Sequence, residues 1–517
     1  MVFSVLSVLA TATLALAAPA ATAPPADGRH ALIQLTPRAA CTEAAELRAA
    51  GAIAIAPELR LYRLPSTIAG RLTPGLRARG AVQTLQPDRP VGRLSASQFT
   101  DPFALEDWWR SAIGIDGLEP PGPGKPVTVV DSGIDVTHPE FLNRPGTELL
   151  NSQEPLGIGG EHGTAVASLI GATANGVGIV GIYPQAVLRS WDAALGAGTQ
   201  LDTSEIVAGL VAAARNGAGV INLSLGSQTR ESLIEQAVDS AYAHGSLVVA
   251  ASGNEGEGSA LGYPAALPHV LTVAATDPSN QVASFSSPSR FVDLAAPGSG
   301  MTVASAIQKG YRQAASGTSF AAPLVSGAAA WVWTARPELD NGQLFEVMRR
   351  SAVDIGAPGR DQQSGFGLLN VRNALGFPAP IRDPLEPNED VEYVKPGGFF
   401  GAEQPITQRG RRENTTFTAR LDSIEDRSDV YRLWLPARKT VTVTLRSSVD
   451  LDLALWGPSA ISISQQPGTA RLAVSARRGT GSERIVLKPG SGRYGYVAVT
   501  IGRSVAEASY RLTVKTT

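Results

Sequence analysis

The chain is poor in sulfur, in charge imbalance and in long apolar runs, and each shortage narrows what it can be. One cysteine, Cys41, stands among 517 residues, so no disulfide can close within the chain and its stability must come from elsewhere. Cys41 lies far upstream of every motif described below, which favours a small packed residue over a nucleophile. Lys and Arg number 44 against 46 Asp and Glu, a formal net charge of -2, so there is no basic field to track phosphate or an anionic membrane. Nucleic-acid binding is excluded on that ground. Beyond the first residues no stretch is apolar enough to span a bilayer. There is no long internal repeat and no block of like charge.

What is present is a soluble composition, 43% hydrophobic and 17% charged, on a chain long enough for roughly three domains at about 150 residues each. Residues 2–18 are uncharged and apolar or small, and include Ala15-Leu16-Ala17-Ala18, which fits a signal-peptidase site. They predict a signal peptide over 1–18 and secretion to the medium or a periplasm. The start lacks the usual Lys or Arg, which leaves open a start further upstream and, as the alternative, a membrane anchor.

Residues 29–90 alternate short apolar runs with a capped helix over 42–51 that ends on Gly51. That pattern predicts a small α+β domain, its helices on one face of an antiparallel sheet. From about 98 to 376 the rhythm becomes that of an α/β, doubly wound, mostly parallel sheet, with buried strands at 127–130, 219–223, 246–250 and 270–274. Helices are expected over 206–216, 231–244, 321–334 and 341–352. A Pro-rich acidic break, 377–392, reads as a linker. Residues 393–517 carry period-two runs spaced by Gly, Pro and Asp turns, predicting an all-β sandwich.

Four local frames carry chemistry. Asp131 ends the hydrophobic strand Val127-Thr128-Val129-Val130, where a buried carboxylate is costly unless it accepts hydrogen bonds, for instance from an imidazole; a strand-end turn residue is the plain alternative. His162, in Glu161-His162-Gly163-Thr164, stands on a turn leading into an apolar helix, where a lone His is more often structural. Ser319, in Gly317-Thr318-Ser319-Phe320-Ala321-Ala322-Pro323, sits among small residues at a helix start, with Pro323 in the first turn. Free amides and the helix dipole there favour a developing oxyanion, and a simple helix cap is the alternative. Asn254 follows a buried strand in Ala250-Ala251-Ser252-Gly253-Asn254 and offers a neutral amide donor, or an ordinary turn. A Ser hydroxyl is a weak nucleophile alone, so a base and an orienting carboxylate around it point to acyl transfer.

Taken together and in the order Asp, His, Ser, these frames closely resemble the subtilisin (subtilase) family over residues 101–375, including Ile221-Asn222-Leu223-Ser224-Leu225-Gly226 and Gly262-Tyr263-Pro264. The resemblance implies a serine endopeptidase with Ser319 as nucleophile, His162 as general base and then acid, Asp131 as orienting carboxylate and Asn254 as oxyanion donor beside the Ser319 amide. It implies an extended substrate pairing with Ser224, Leu225 and Gly226, and with residues 194–198. It also implies a pocket walled by Ala250, Ala251, Ser252, Gly253 and Gly262 that admits a large apolar side chain. A structural Ca²⁺ is implied at Glu140 and the loop Thr173, Asn175, Val177 and Ile179, with Asp101 or Gln98 completing the set. The family's usual Asp is Glu140 here, and its frequent His after His-Gly-Thr is Ala165.

By the same resemblance residues 19–97 are a propeptide that assists folding and inhibits until cut between Arg89 and Thr100. The C-terminal unit resembles bacterial pre-peptidase C-terminal domains in Glu386-Pro387-Asn388-Glu389, Asp429-Val430-Tyr431 and Asp450-Leu451-Asp452. The expected product is a secreted, monomeric endopeptidase acting on proteins at neutral to alkaline pH. Its own propeptide is the intramolecular inhibitor, and no nucleic acid, membrane or catalytic cofactor takes part. Two other readings compete. One is a catalytically weak binding or adhesion protein that uses the sandwich. The other is a non-peptidase hydrolase, disfavoured because Ala321 stands where a Gly-x-Ser-x-Gly elbow needs its second Gly.

Overall fold

The computed structural model describes residues 30–37, 39, 41–87, 100–104, 107–152, 160–194, 200–306, 310–399, 404–464, 470–479 and 482–517. The signal peptide expected at 1–18 and nearly all of the processing segment expected at 89–100 lie outside them, as do Gln98 and residues 195–198. The chain divides into two compact units, residues 1–94 and 95–517.

In the first unit a four-stranded antiparallel sheet runs Ile53–Ala56, Leu61–Pro65, His30–Leu35, Val82–Pro87. Alternation along His30–Leu35 buries Ala31, Ile33 and Leu35 against Leu47, Ala69 and Leu76 of two helices, Cys41–Ala49 and Ser66–Ala78. Sequence reading predicted the first helix and not the second. Burial of Ala69, Thr73 and Leu76 on one face outweighs the poor helix propensity of Gly70, Pro74 and Gly75. Cys41 opens the first helix exposed, not packed as expected.

The second unit is built on a seven-stranded parallel sheet in the order Val292–Pro297, Val270–Thr276, Leu247–Ala251, Val220–Leu223, Val127–Asp131, Leu188–Asp192, Thr147–Leu149. Its central strands are buried at every position because helices cover both faces, which is why they read as continuous apolar runs. Gly160–Gly171 and Thr318–Ala335 fill one face, and Thr203–Arg215 and Ser232–Ala243 the other. Asn341–Arg350 follows, opened by a capping box between Asp340 and Gln343. Met301 and Met348 are fully buried in this core.

Residues 415–516 form two four-stranded antiparallel sheets, Thr415–Asp422, Glu507–Thr516, Val441–Ser447, Ser482–Leu487 and Ser428–Leu435, Arg493–Ile501, Leu451–Trp456, Arg471–Ser475. Their inward residues, among them Leu421, Leu433, Val443, Leu453, Val497 and Leu512, make one core. The stretch read as a linker is packed rather than free. Asn388 is fully buried and its side chain accepts from the Val430 amide at 2.8 Å, while Asp383 accepts from the Arg420 amide at 2.7 Å. On the side of the parallel-sheet domain, Gln343 donates to the Pro380 carbonyl at 2.7 Å and Tyr393 donates to Asp239 at 2.9 Å.

Sandwich and parallel-sheet domain also meet through buried Arg349. Its guanidinium reaches Asp293 at 3.3 Å, Glu346 at 2.6 Å and Asp422 at 2.9 Å, and Arg420 adds a 3.0 Å bridge to Glu346.

Candidate active site

The central strand Val127–Asp131 is the one at which the chain's order across the sheet reverses, and ligands in such sheets bind beyond the carboxyl ends at that switch point. Asp131 is the last residue of that strand and almost fully buried. Oδ1 accepts from the Ser132 amide at 2.8 Å and the Ser132 hydroxyl at 3.3 Å, which offsets the desolvation of a buried charge. His162 Nδ1 stands 2.9 Å from Oδ1 and 3.0 Å from Oδ2. His162 lies inside the helix Gly160–Gly171, as its third residue, and not on a turn before it. Gly163 is what lets that helix seat on the strand end: a Cβ there would stand 2.2 Å from the Gly133 carbonyl oxygen. The Asp131 carboxylate raises the His162 pKa above 6.5, outweighing partial burial and the nearby Arg312 guanidinium, which lower it.

Ser319 is the second residue of the helix Thr318–Ala335. Its Oγ donates to the Ser224 carbonyl at 3.3 Å, and the neighbouring Phe320 ring lies 6.2 Å from the His162 ring. Pro323 is the helix's sixth residue, not in its first turn as expected, and so has no N–H for the Ser319 carbonyl four residues earlier. The Ser224 hydroxyl supplies that hydrogen bond at 2.9 Å. Ser224 is in turn held by Asn222 Nδ2 at 3.0 Å, and Asn222 Oδ1 accepts from Ser326 at 2.9 Å. Asn254 Oδ1 accepts from the Thr318 amide at 2.8 Å and the Thr318 hydroxyl at 3.0 Å. With its oxygen engaged, the Asn254 amide is fixed in orientation and keeps Nδ2 as a donor to the cleft.

A cavity of about 190 Å³ is lined by Ala251, Ser252, Gly253 and Gly262 on one side, Ser224, Leu225 and Gly226 on another, and Asn254 and Ser319. Ala250 does not take part. It is fully buried in the core beneath the sheet, because successive strand residues face opposite sides. A wider cleft of about 750 Å³ adjoins through Ser224–Gly226 and is lined by Asp131, His162, Leu201, Ile206, Tyr263 and Arg312. Of the stretch 194–198, Ala194 is described, its amide donating to Asp192 at 3.0 Å. Ser132, Asn222 and Thr318, which hydrogen-bond Asp131, Ser224 and Asn254, and Arg312, which lines the cleft with His162, were given no role in the sequence. Ser132 and Thr318 adjoin motif residues, which is the one signal that pointed to them.

The residues expected to hold calcium are gathered. Asp101 Oδ1 accepts the amides of Asn175, Gly176 and Val177 at 3.0, 3.0 and 3.2 Å. Glu140 Oε1 accepts from the Ile179 amide at 2.9 Å and from the Tyr311 hydroxyl at 2.7 Å. Thr173 donates to the Glu140 carbonyl at 3.2 Å, and Asn175 Oδ1 accepts from the Val177 amide at 2.9 Å. Asp101 Oδ2 and Glu140 Oε2 are buried without a hydrogen-bond partner. Burial first, then the Asp101 charge, pushes Glu140 up to about 7 against the pull of its two donors. Two buried carboxylates with bare oxygens are a hard donor set of the kind Ca²⁺ takes, so the residues present fit the ion.

A carboxylate–imidazole pair and a helix-borne serine at the carboxyl ends of a parallel sheet define a serine hydrolase of α/β architecture. Residues 122–367 match the Subtilase family (peptidase S8). Subtilisin Savinase of Lederbergia lenta is 40% identical over 253 residues, which cover 49% of this chain and 91% of that protein. The Minor extracellular protease Epr of Bacillus subtilis (strain 168) is 35% identical over 272 residues, 53% of this chain, and the chain spans 40% of that protein's length. Among solved structures, Sphericase aligns at 31% identity over 51% of this chain and 98% of its own, with a TM-score of 0.45. The chain belongs to the subtilase family and is a serine endopeptidase.

Proposed function

We propose that the peptide bond is cleaved by Ser319, His162 and Asp131 through an acyl-enzyme, with Asn254 Nδ2 and the Ser319 amide receiving the oxyanion. The observation that carries this is the imidazole anchored through Nδ1 on Asp131 at 2.9 Å, which commits Nε2 to the proton traffic of the cleft. In the first step Ser319 Oγ turns from the Ser224 carbonyl to the imidazole, gives it its proton and attacks the substrate carbonyl carbon. His162 then returns that proton to the leaving amine, the C–N bond breaks, and an ester to Ser319 remains. Water enters, loses a proton to His162 and displaces Ser319, which recovers its proton. Asp131 stays ionised throughout and stabilises the imidazolium.

The substrate lies as an added strand beside Ser224, Leu225 and Gly226, and its large apolar side chain enters the cavity walled by Ala251, Ser252, Gly253 and Gly262. Calcium at Glu140 and Asp101, with Asn175 and the main-chain oxygens of Thr173, Val177 and Ile179, would supply rigidity to that loop and no chemistry. The chain is made with a signal peptide at 1–18 and a propeptide at 19–97, is exported, and is cut by its own active site to a monomeric enzyme. The described residues contain no helix long and apolar enough to cross a membrane.

The test is the intact mass of secreted wild type beside Ser319→Ala, prepared identically. Loss of roughly the first hundred residues from the wild type alone establishes Ser319 as a working nucleophile and self-processing. Retention by both folded proteins overturns autocatalytic maturation and favours a binding role for the sandwich.

A further inference from the structure

Where the peptidase domain meets the sandwich, a cavity of about 50 Å³ is lined by Tyr242, His269, Asp383, Glu386 and Asp426, among others. Asp383 and Glu386 come from the connecting stretch, and Asp429 from the sandwich strand Ser428–Leu435. One oxygen of each of Asp383, Glu386 and Asp429 lies within 4.8 Å of the other two. Each carboxylate spends one oxygen on a protein donor: Asp383 Oδ2 on the Arg420 amide at 2.7 Å, Glu386 Oε1 on Asn388 Nδ2 at 2.6 Å and Asp429 Oδ2 on the Tyr510 hydroxyl. The second oxygens, Asp383 Oδ1, Glu386 Oε2 and Asp429 Oδ1, are buried and have no partner. Asp429 is fully buried, so no bulk water serves it. Asp426 Oδ1 and Glu389 Oε2 are bare as well, although Glu389 pairs with His269 through its other oxygen.

Three carboxylates that converge, each with a buried oxygen left bare, are expensive unless something positive joins them. Arg420 also lines this cavity, but its guanidinium bridges to Glu346 at 3.0 Å and forms no salt bridge with these three carboxylates. Oxygens about 2.3–2.6 Å from one Ca²⁺ stand at most about 5 Å apart, which matches the spacing found. The donors are all hard oxygens with no thiol among them, and the cavity that Asp383 and Glu386 line leaves room for an ion and about one water. We propose that Asp383, Glu386 and Asp429 bind a divalent cation, Ca²⁺ by donor chemistry, that joins the peptidase domain to the sandwich. Asp426 and Glu389 add negative charge around it. Its residues are separate from those of the Glu140 loop. The competing occupant is a proton shared between Glu386 and Asp429.

The test is calcium stoichiometry by equilibrium dialysis at pH 7.5 on the chelator-treated full chain carrying Ser319→Ala, which blocks self-cleavage. The proposal expects Glu386→Gln and Asp429→Asn each to bind one ion fewer than this parent, whereas Glu140→Gln retains that ion. It also expects added Ca²⁺ to raise the melting temperature of the parent more than that of Glu386→Gln. A parent that binds no Ca²⁺, or variants that bind as many ions as the parent, overturn it in favour of the shared proton. Should neither variant fold, Tb³⁺-soaked crystals of the parent decide: an anomalous peak among Asp383, Glu386 and Asp429 supports the site, and its absence overturns it.

Discussion

At the scale of single residues, the proposed mechanism makes the rate depend on the proton of His162. A general base acts only when neutral, and the Asp131 carboxylate favours the charged imidazole, so kcat/KM is expected to rise with pH through a midpoint above 6.5 and then level off. Asp131→Asn removes that stabilisation. The midpoint should then move down, and the plateau should fall by about 10⁴, as a pH–rate profile on a chromogenic peptide would read. An unmoved midpoint would separate Asp131 from the imidazole. Asn254→Leu takes away one oxyanion donor, and kcat should fall about 100- to 1000-fold with KM little changed in steady-state kinetics. Asp131, His162, Asn254 and Ser319 were legible as candidates because each sits in a short frame whose neighbours are dictated locally. Ala250 was misplaced because it shares a frame with residues that line the cavity, and only the alternation of the strand sends it the other way. Arg312 was invisible, since nothing in its own segment announces the imidazole it faces.

At the scale of elements, the helix bearing Ser319 carries a Pro in its sixth position, and a residue on another strand-to-loop junction repairs the loss. Ser224→Ala leaves the Ser319 carbonyl without its donor, and the active-site-blocked protein should lose about 1–3 kcal/mol in a urea unfolding titration. An unchanged midpoint would mean that water takes over the bond. The parallel sheet was readable because strands buried on both faces leave unbroken apolar runs. The helix Ser66–Ala78 was not, because its Gly and Pro residues mask a buried face whose value appears only once the sheet is in place. The connecting stretch misled for a related reason: Pro and acidic residues mark an exposed spacer by composition, and here Asn388 is buried and Asp383 is tied to the Arg420 amide.

At the scale of the whole second unit, Arg349 binds helix, sheet and sandwich at one buried point. Burial alone would raise Glu346, but Arg349, Arg420 and Arg350 hold its carboxyl at about 2. Arg349→Met strands three acidic partners, and calorimetry should show a loss of about 3–5 kcal/mol and earlier melting of peptidase and sandwich together. Separate melting of the sandwich, with the peptidase unchanged, would show that the contact is dispensable. The exposed pair Arg230–Glu235 offers the contrast, since its removal should cost under about 1 kcal/mol.

The two methionines of this unit lie fully buried, and the residue after Ser319 is Phe320, so among the described residues the one exposed sulfur is Cys41, in the other unit. Peroxide attacks accessible thiolates and thioethers, and beside the catalytic groups it finds none. A bleaching environment should therefore spare the enzyme: peptidase activity is expected to survive prolonged hydrogen peroxide with its rate unchanged and no added oxygen on Met301 or Met348 by peptide mass mapping.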